Sequence, residues 1–277
     1  MSREENIEIF RDTEKLCKTN PFLIQAWKYS SENQKLILEN ESVDFVKNKY
    51  EKQAKITVSK NRTFEAAMEY NDKKVAVLNF ASASNPGGGV VNGSSAQEEC
   101  LCRCSTLYYN LTEDYMWKNF YLPHRHASNP IHNDDLIYTP DVVVFKSDTA
   151  YPRLMPNSRW KKVNVITCAA PNLREHPSNS FNLGDGNNAV SVTDEELENI
   201  HIKRGRKILE VAAANENEVV ILGAFGCGAF MNKPEVVAKA YAKLIDEFKN
   251  TFQEIQFAVY CSPRDESNFR IFSEILG

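Results

Sequence analysis

Residues 218–225 read EVVILGAF, and past the leading glutamate no side chain is polar. A run this short and this apolar fits a strand buried on both faces, the kind found in a parallel sheet with helices on either side. KVAVLNF (74–80) has the same character, and IYTPDVVVF (137–145), VNVITCAA (163–170) and QFAVYC (256–261) read as further strands. Helical periods lie between them. Ala96, Cys100, Cys104, Leu107, Tyr108 and Leu111 fall on one stripe of a helix starting near Ala96. A capping box, Thr193-x-x-Glu196, opens a helix from about Asp194 to Ala214. Pro234 opens another, with Val237, Ala240, Tyr241, Leu244 and Phe248 inward, and a short helix closes the chain through Phe269, Phe272 and Leu276. Strands separated by such helices predict an α/β fold with a mixed or mostly parallel central sheet flanked by helices. Residues 1 to about 55 are rich in Glu, Lys and Asn, and Ile7, Phe10, Leu16 and Cys17 fit a loosely amphipathic helix. The expected organisation is a helical N-terminal appendage over 1–55 and a main domain over 56–277.

Composition limits what such a chain can bind. The net charge of -4 over 277 residues excludes a polycation that coats nucleic acid, so an anionic ligand must be held by local donors. No apolar run approaches the roughly 20 residues that span a bilayer. The N-terminus, MSREENIEIFRDTEK, lacks the apolar core of a signal peptide, and seven cysteines suggest no disulfide framework. Free thiols in a reducing cytoplasm are expected. Cys100, Cys102 and Cys104 alternate, but on one helix only 100 and 104 share a face, so no metal site is expected there. His124, His126 and His132 lack a further ligand pattern and are expected in a surface loop. HIKRGRK (201–207) is expected as a solvated helix face rather than a contact for distal phosphates. Tyr115 and Trp117 either cover a cleft or fill a core.

Two of the buried strands run directly into glycine-rich loops. VAVLNF leads to Asn85-Pro86-Gly87-Gly88-Gly89, and VVILGAF leads to Gly223, Gly226 and Gly228 in GAFGCGAF. Ligands of open α/β sheets bind beyond the carboxyl ends of the strands. Glycines allow close backbone approach and helix starts favour anions, so two facing loops predict a clamp for a pyrophosphate. Neither loop is a dinucleotide fingerprint, because G-x-x-G-x-G reverses the Rossmann order, and no G-K-[ST] is present.

The first loop is followed by Gln97-Glu98-Glu99. Ser95-x-x-Glu98 matches a capping box, which gives Glu98 a structural explanation but leaves Glu99 without one. Neighbours on a helix point about 100° apart, so the two carboxylates should differ in role, one holding substrate hydroxyls and one transferring a proton. Proton donation at neutral pH requires that burial and repulsion between the carboxylates outweigh the helix dipole.

N-P-G-G-G, seven residues, then Q-E-E on a helix resembles the signature of bacterial-type poly(ADP-ribose) glycohydrolases. GAFGCGAF followed by N-K-P is similar to that family's diphosphate loop, and the likeness runs over roughly residues 56–275. The resemblance implies a macrodomain-like fold that binds ADP-ribose at the strand ends. It implies hydrolysis of the ribose–ribose O-glycosidic bond, mainly at chain ends, releasing ADP-ribose. Glu99 would be the acid/base and Glu98 a ligand for ribose hydroxyls. Asn85 would help place the same ribose, with Gln97 beside it. Gly87, Gly88 and Gly89 would cradle one phosphate, and Gly226, Cys227, Gly228 and Ala229 would form the opposite wall, with Phe230 against the nucleoside. The resemblance implies no cofactor and no metal. The implied partners are poly(ADP-ribose) or an ADP-ribosylated protein, with no membrane and no sequence-specific nucleic acid. The alternatives are an ADP-ribose reader that does not cleave, for which Glu99 is dispensable, and a hydrolase acting on mono-ADP-ribosyl groups.

Overall fold

A computed structural model describes residues 1–179, 183–262 and 264–277. Among these residues seven strands form one sheet: β1 (Lys35–Ile37), β2 (Lys55–Ser59), β3 (Val75–Phe80), β4 (Leu136–Val144), β5 (Lys161–Cys168), β6 (Val219–Leu222) and β7 (Glu254–Ala258). Their order is β1-β4-β5-β3-β6-β7-β2. From β5 to β2 all neighbours are parallel, while β4 is antiparallel to both β1 and β5. β3 is the point where the connections reverse, with β5 on one side and β6 on the other. Its carboxyl end is therefore where a ligand crevice belongs.

Strand residues alternate between two cores. Ala76, Leu78, Ile166 and Val220 face one, with Ile208, Val237 and Phe272; Val75, Val77, Val165 and Ile221 face the other, with Phe10, Phe64, Leu101 and Leu107. The first is covered by α8 (Asp194–Ala214), α9 (Pro234–Phe248) and α10 (Ser267–Leu276). The second is covered by α1 (Arg3–Thr19), α3 (Thr63–Ala67), α4 (Gln97–Cys104) and α5 (Leu107–Leu111). α2 (Pro21–Glu32) packs on β4, and α6 (Asp114–Met116), a π-helical turn (Trp117–Tyr121) and α7 (Leu122–Ala127) run on as one helical stretch. α8 opens with the expected reciprocal Thr193–Glu196 cap, and Pro234 sits in the first turn of α9. Pro140 is tolerated in β4 because the register shifts between Thr139 and Val142, where Asp141 takes φ 55°.

Several expectations are corrected. The N-terminal 55 residues are not purely helical, since β1 is an edge strand of the sheet and Phe10 is in its core. The stripe from Ala96 to Leu111 is interrupted, because Ser105 is extended and bridges to Val144, separating α4 from α5. Cys100 is only half-buried. In the basic run, His201, Arg204, Gly205 and Lys207 are buried. Arg204 pairs with Asp134 at 2.9 Å and donates to Ala169 O at 2.7 Å, so a partner seventy positions away recruits the face that its charges would leave in water. His124 and His132 are buried as well, bonded to Phe120 O and Ala170 O respectively, and of the three expected in a surface loop His126 alone is exposed.

Candidate active site

The carboxyl ends of β2, β3, β5, β6 and β7 converge on a cleft of about 710 Å³, lined among others by Thr63, Ser82, Ala170, Phe225 and Tyr260. α4 begins at its floor. The Ser95 cap does not form: Ala96 occupies the N-cap position and no side chain caps the helix. Glu98 instead accepts from Asn79 Nδ2 at 3.1 Å and from the Ser82 amide at 2.9 Å, both at the end of β3. Asn79 is the only polar residue in VAVLNF, and this is its use: a buried amide that would otherwise be costly fixes the carboxylate at the strand end.

Glu99 points the other way, as 100° per residue requires. Its Oε1 accepts from the Gly89 amide at 2.8 Å, while its Oε2 is buried and bonded to no protein donor among the described residues. Both glutamates are buried, at 3% and 7% exposure. Burial, and then the charge of Glu99, push Glu98 up to about 8 against the hydrogen bonds from Ser82 and Asn79; burial also raises Glu99. At neutral pH the pair holds a proton between its two carboxyls.

Two of the three glycines are explained by what lies behind them. At Gly88, with φ +57°, a Cβ would lie 2.5 Å from Glu99 Oε1 and 3.1 Å from Glu98 Oε2. At Gly87, with φ +69°, it would strike the Tyr108 ring at 2.7 Å. The first loop thus lies directly on the acids. This differs from the expected phosphate cradle, because the Gly88 amide donates to Asn85 O and the Gly89 amide to Glu99. The second loop differs. Gly228 and Ala229 line the cleft and are exposed, and among the described residues their amides reach no protein acceptor.

Of the expected site residues, Glu98, Glu99, Gly88, Gly89, Gln97, Gly226, Gly228, Ala229 and Phe230 line one cleft. Gln97 does so with its amide engaged by protein: it donates to Thr63 Oγ1 and Leu78 O and accepts from the Phe80 amide, tying α4 to β3. Asn85, Gly87 and Cys227 are not among the lining residues. Asn85 is turned to Arg125 and to Leu183 O, and Cys227 packs against the core.

Residues 4–147 match the family model for the microbial-type PARG (poly(ADP-ribose) glycohydrolase) catalytic domain. The chain belongs to that family. Among solved structures, the glycohydrolase of Thermomonospora curvata is 27% identical and superposes with a TM-score of 0.84, covering 99% of this chain and 100% of that one. The same protein bound to the inhibitor ADP-HPD gives 27% and 0.80, covering 98% and 99%. The glycohydrolase of Deinococcus radiodurans in complex with ADP-ribose is 29% identical with a TM-score of 0.72, covering 90% and 95%. A search of curated proteins gave no match. Among the described residues, no helix is long and apolar enough to cross a membrane, and no three His, Cys, Asp or Glu are grouped to hold a metal.

Sequence reasoning passed over Asn79 and Ser82, which hold Glu98, and the Arg62–Tyr260 pair on the cleft wall, where the guanidinium lies 3.9 Å from the ring centroid. A polar residue at the end of an otherwise apolar strand was the available signal for Asn79. Nothing in the sequence brings positions 62 and 260 together.

Proposed function

We propose that this glycohydrolase-family protein hydrolyses the ribose–ribose O-glycosidic bond of poly(ADP-ribose), releasing ADP-ribose, with Glu99 as acid and base. The observation that carries this reading is the buried carboxyl pair under the first glycine loop, with Glu99 Oε2 bare. The diphosphate rests on the open amides of Gly228 and Ala229, and Phe230 lies against the nucleoside. Glu98, held by Asn79 and Ser82, accepts from hydroxyls of the distal ribose. Glu99 gives its proton to the departing ribose oxygen as the C1–O bond breaks. The oxocarbenium-like carbon is then attacked by water, whose proton returns to Glu99, so the enzyme ends as it began. Two neighbouring carboxylates on one helix cannot flank both faces of a sugar, which sets this site apart from glycosidases with opposed acids. Seven free cysteines fit a reducing compartment such as the cytoplasm.

The test is product release from labelled poly(ADP-ribose) by the wild type and by Glu99→Ala. Wild-type release of ADP-ribose, with at least a hundredfold loss in the variant, is expected from removing a general acid. Binding of ADP-ribose without any release by wild type would make the protein a reader, and release from mono-modified protein alone would move it to the other hydrolase class.

A further inference from the structure

The first glycine loop spans from the end of β3 to the short helical turn at Val90–Asn92 with no regular structure of its own, yet it must hold Glu99 in place. Its anchor comes from far along the chain, in the turn Gly184-Asp185-Gly186. Asp185 is 1% exposed and accepts from Ser84 Oγ of that loop at 2.7 Å. Its other oxygen accepts from Asn172 Nδ2 at 2.8 Å, and His132 Nε2 lies 3.5 Å away. Asn172 belongs to the segment that leaves β5 and supports the opposite wall: the next amide, Leu173 N, donates to Phe230 O at 2.9 Å, and Asn232 Nδ2 donates to Pro171 O at 2.7 Å.

The turn itself is seated on α7. A Cβ at Gly184, with φ +108°, would meet Arg125 Cγ at 2.6 Å, and one at Gly186, with φ +79°, would meet Ser128 O at 2.4 Å. Arg125 stacks on Trp117 at 4.9 Å and donates to Ser84 O at 2.7 Å and to the Asn85 side-chain carbonyl. Positions 84 and 85 are thus both gripped from behind the cleft.

We propose that Asp185 is a positioning residue that fixes the first glycine loop against the second and so sets where Glu99 sits relative to the distal ribose. It touches neither substrate nor the reacting atoms. The inference rests on the hydrolase reading. A misplacement of about 1 Å at such a distance from the chemistry is enough to lower turnover markedly.

A double-variant cycle tests this. Asp185→Asn and Ser84→Ala are each expected to lower kcat/KM on poly(ADP-ribose) about tenfold, the size of one hydrogen bond to a charged group. Because both break the same link, the double variant should lose no more than the worse single variant. Melting temperatures locate a purely structural role, which would lower them while leaving kcat/KM unchanged below the transition. Additive losses, or Ser84→Ala within twofold of wild type, would overturn the proposal. If Asp185→Asn does not fold, the Ser84→Ala measurement decides alone. Failure of the wild type to act on polymer would instead remove the hydrolase reading itself.

Discussion

At the scale of the residue, the chemistry depends on how far two carboxyls can be pushed from their ordinary behaviour. A helix start stabilises negative charge and would keep both ionised. Burial beneath the first glycine loop opposes it and wins, since Glu98 rises from 4.5 to about 8 and Glu99 moves the same way. A folded-state pKa above the unfolded value means that the folded form holds the proton more tightly. Its contribution to stability is complete below about pH 4.5 and is lost as pH climbs through about 8. Glu99→Gln removes one of the two charges and should therefore melt higher than wild type at pH 9, with the gap closing towards pH 5, as read by thermal unfolding across buffers. Wild-type kcat should fall on the alkaline side as the shared proton leaves. An alkaline limb absent up to pH 10, or a variant that melts lower at pH 9, would contradict the protonated pair.

At the scale of the element, two glycines on opposite walls have different reasons to be glycine. Gly88 is required by the fold, because of its left-handed φ and the glutamates at its back. Gly228 is not, since a Cβ there meets nothing within 4 Å. Gly88→Ala should cost about 1–2 kcal/mol from the backbone alone and displace Glu99 as well. Gly228→Ala should leave the melting temperature nearly unchanged yet weaken ADP-ribose binding at least tenfold by calorimetry, because the added methyl occupies the ligand's side of the wall. Equal affinity for wild type and Gly228→Ala would remove the second loop from the diphosphate. The elements that carry both loops were legible in the sequence because β3 and β6 are mostly apolar runs, as burial on two faces imposes, and each is followed by a glycine-rich loop. β1 and β2 were not, since three and five residues at sheet edges carry too few alternations to set a period. The break at Ser105 has no glycine or proline to mark it; the bridge to Val144 makes it. Buried histidines and arginines read as surface because their partners, Asp134 for Arg204 and Asp185 for His132, are assembled only by the fold.

At the scale of the whole molecule, the N-terminal helices are bonded to the functional end rather than appended to it. Asn6 Nδ2 donates to Gly93 O, Thr13 Oγ1 to Arg103 O at the far end of α4, and Asn110 Nδ2 to Trp27 O. Phe10 meets Tyr108 edge-on at 4.9 Å, and Tyr108 in turn backs Gly87. The buried Lys146 has Asp12 at 2.7 Å and Ile9 O at 2.9 Å as its acceptors. Deleting residues 1–19 would remove Phe10 and its burial against Tyr108, at roughly 2 kcal/mol, and strip Lys146 of both its acceptors, at roughly 3 kcal/mol more. That sum is comparable with the total stability of a small-to-medium domain, about 5–15 kcal/mol. The full chain should therefore unfold in urea as one transition, with tryptophan fluorescence (Trp27 and Trp160 pack on the cluster beneath α2) coinciding with far-ultraviolet circular dichroism. The truncated chain should lack that transition at 25 °C. Two separated transitions in the full chain, or a truncated chain that keeps both its midpoint and its hydrolysis of polymer, would return residues 1–19 to the status of an appendage.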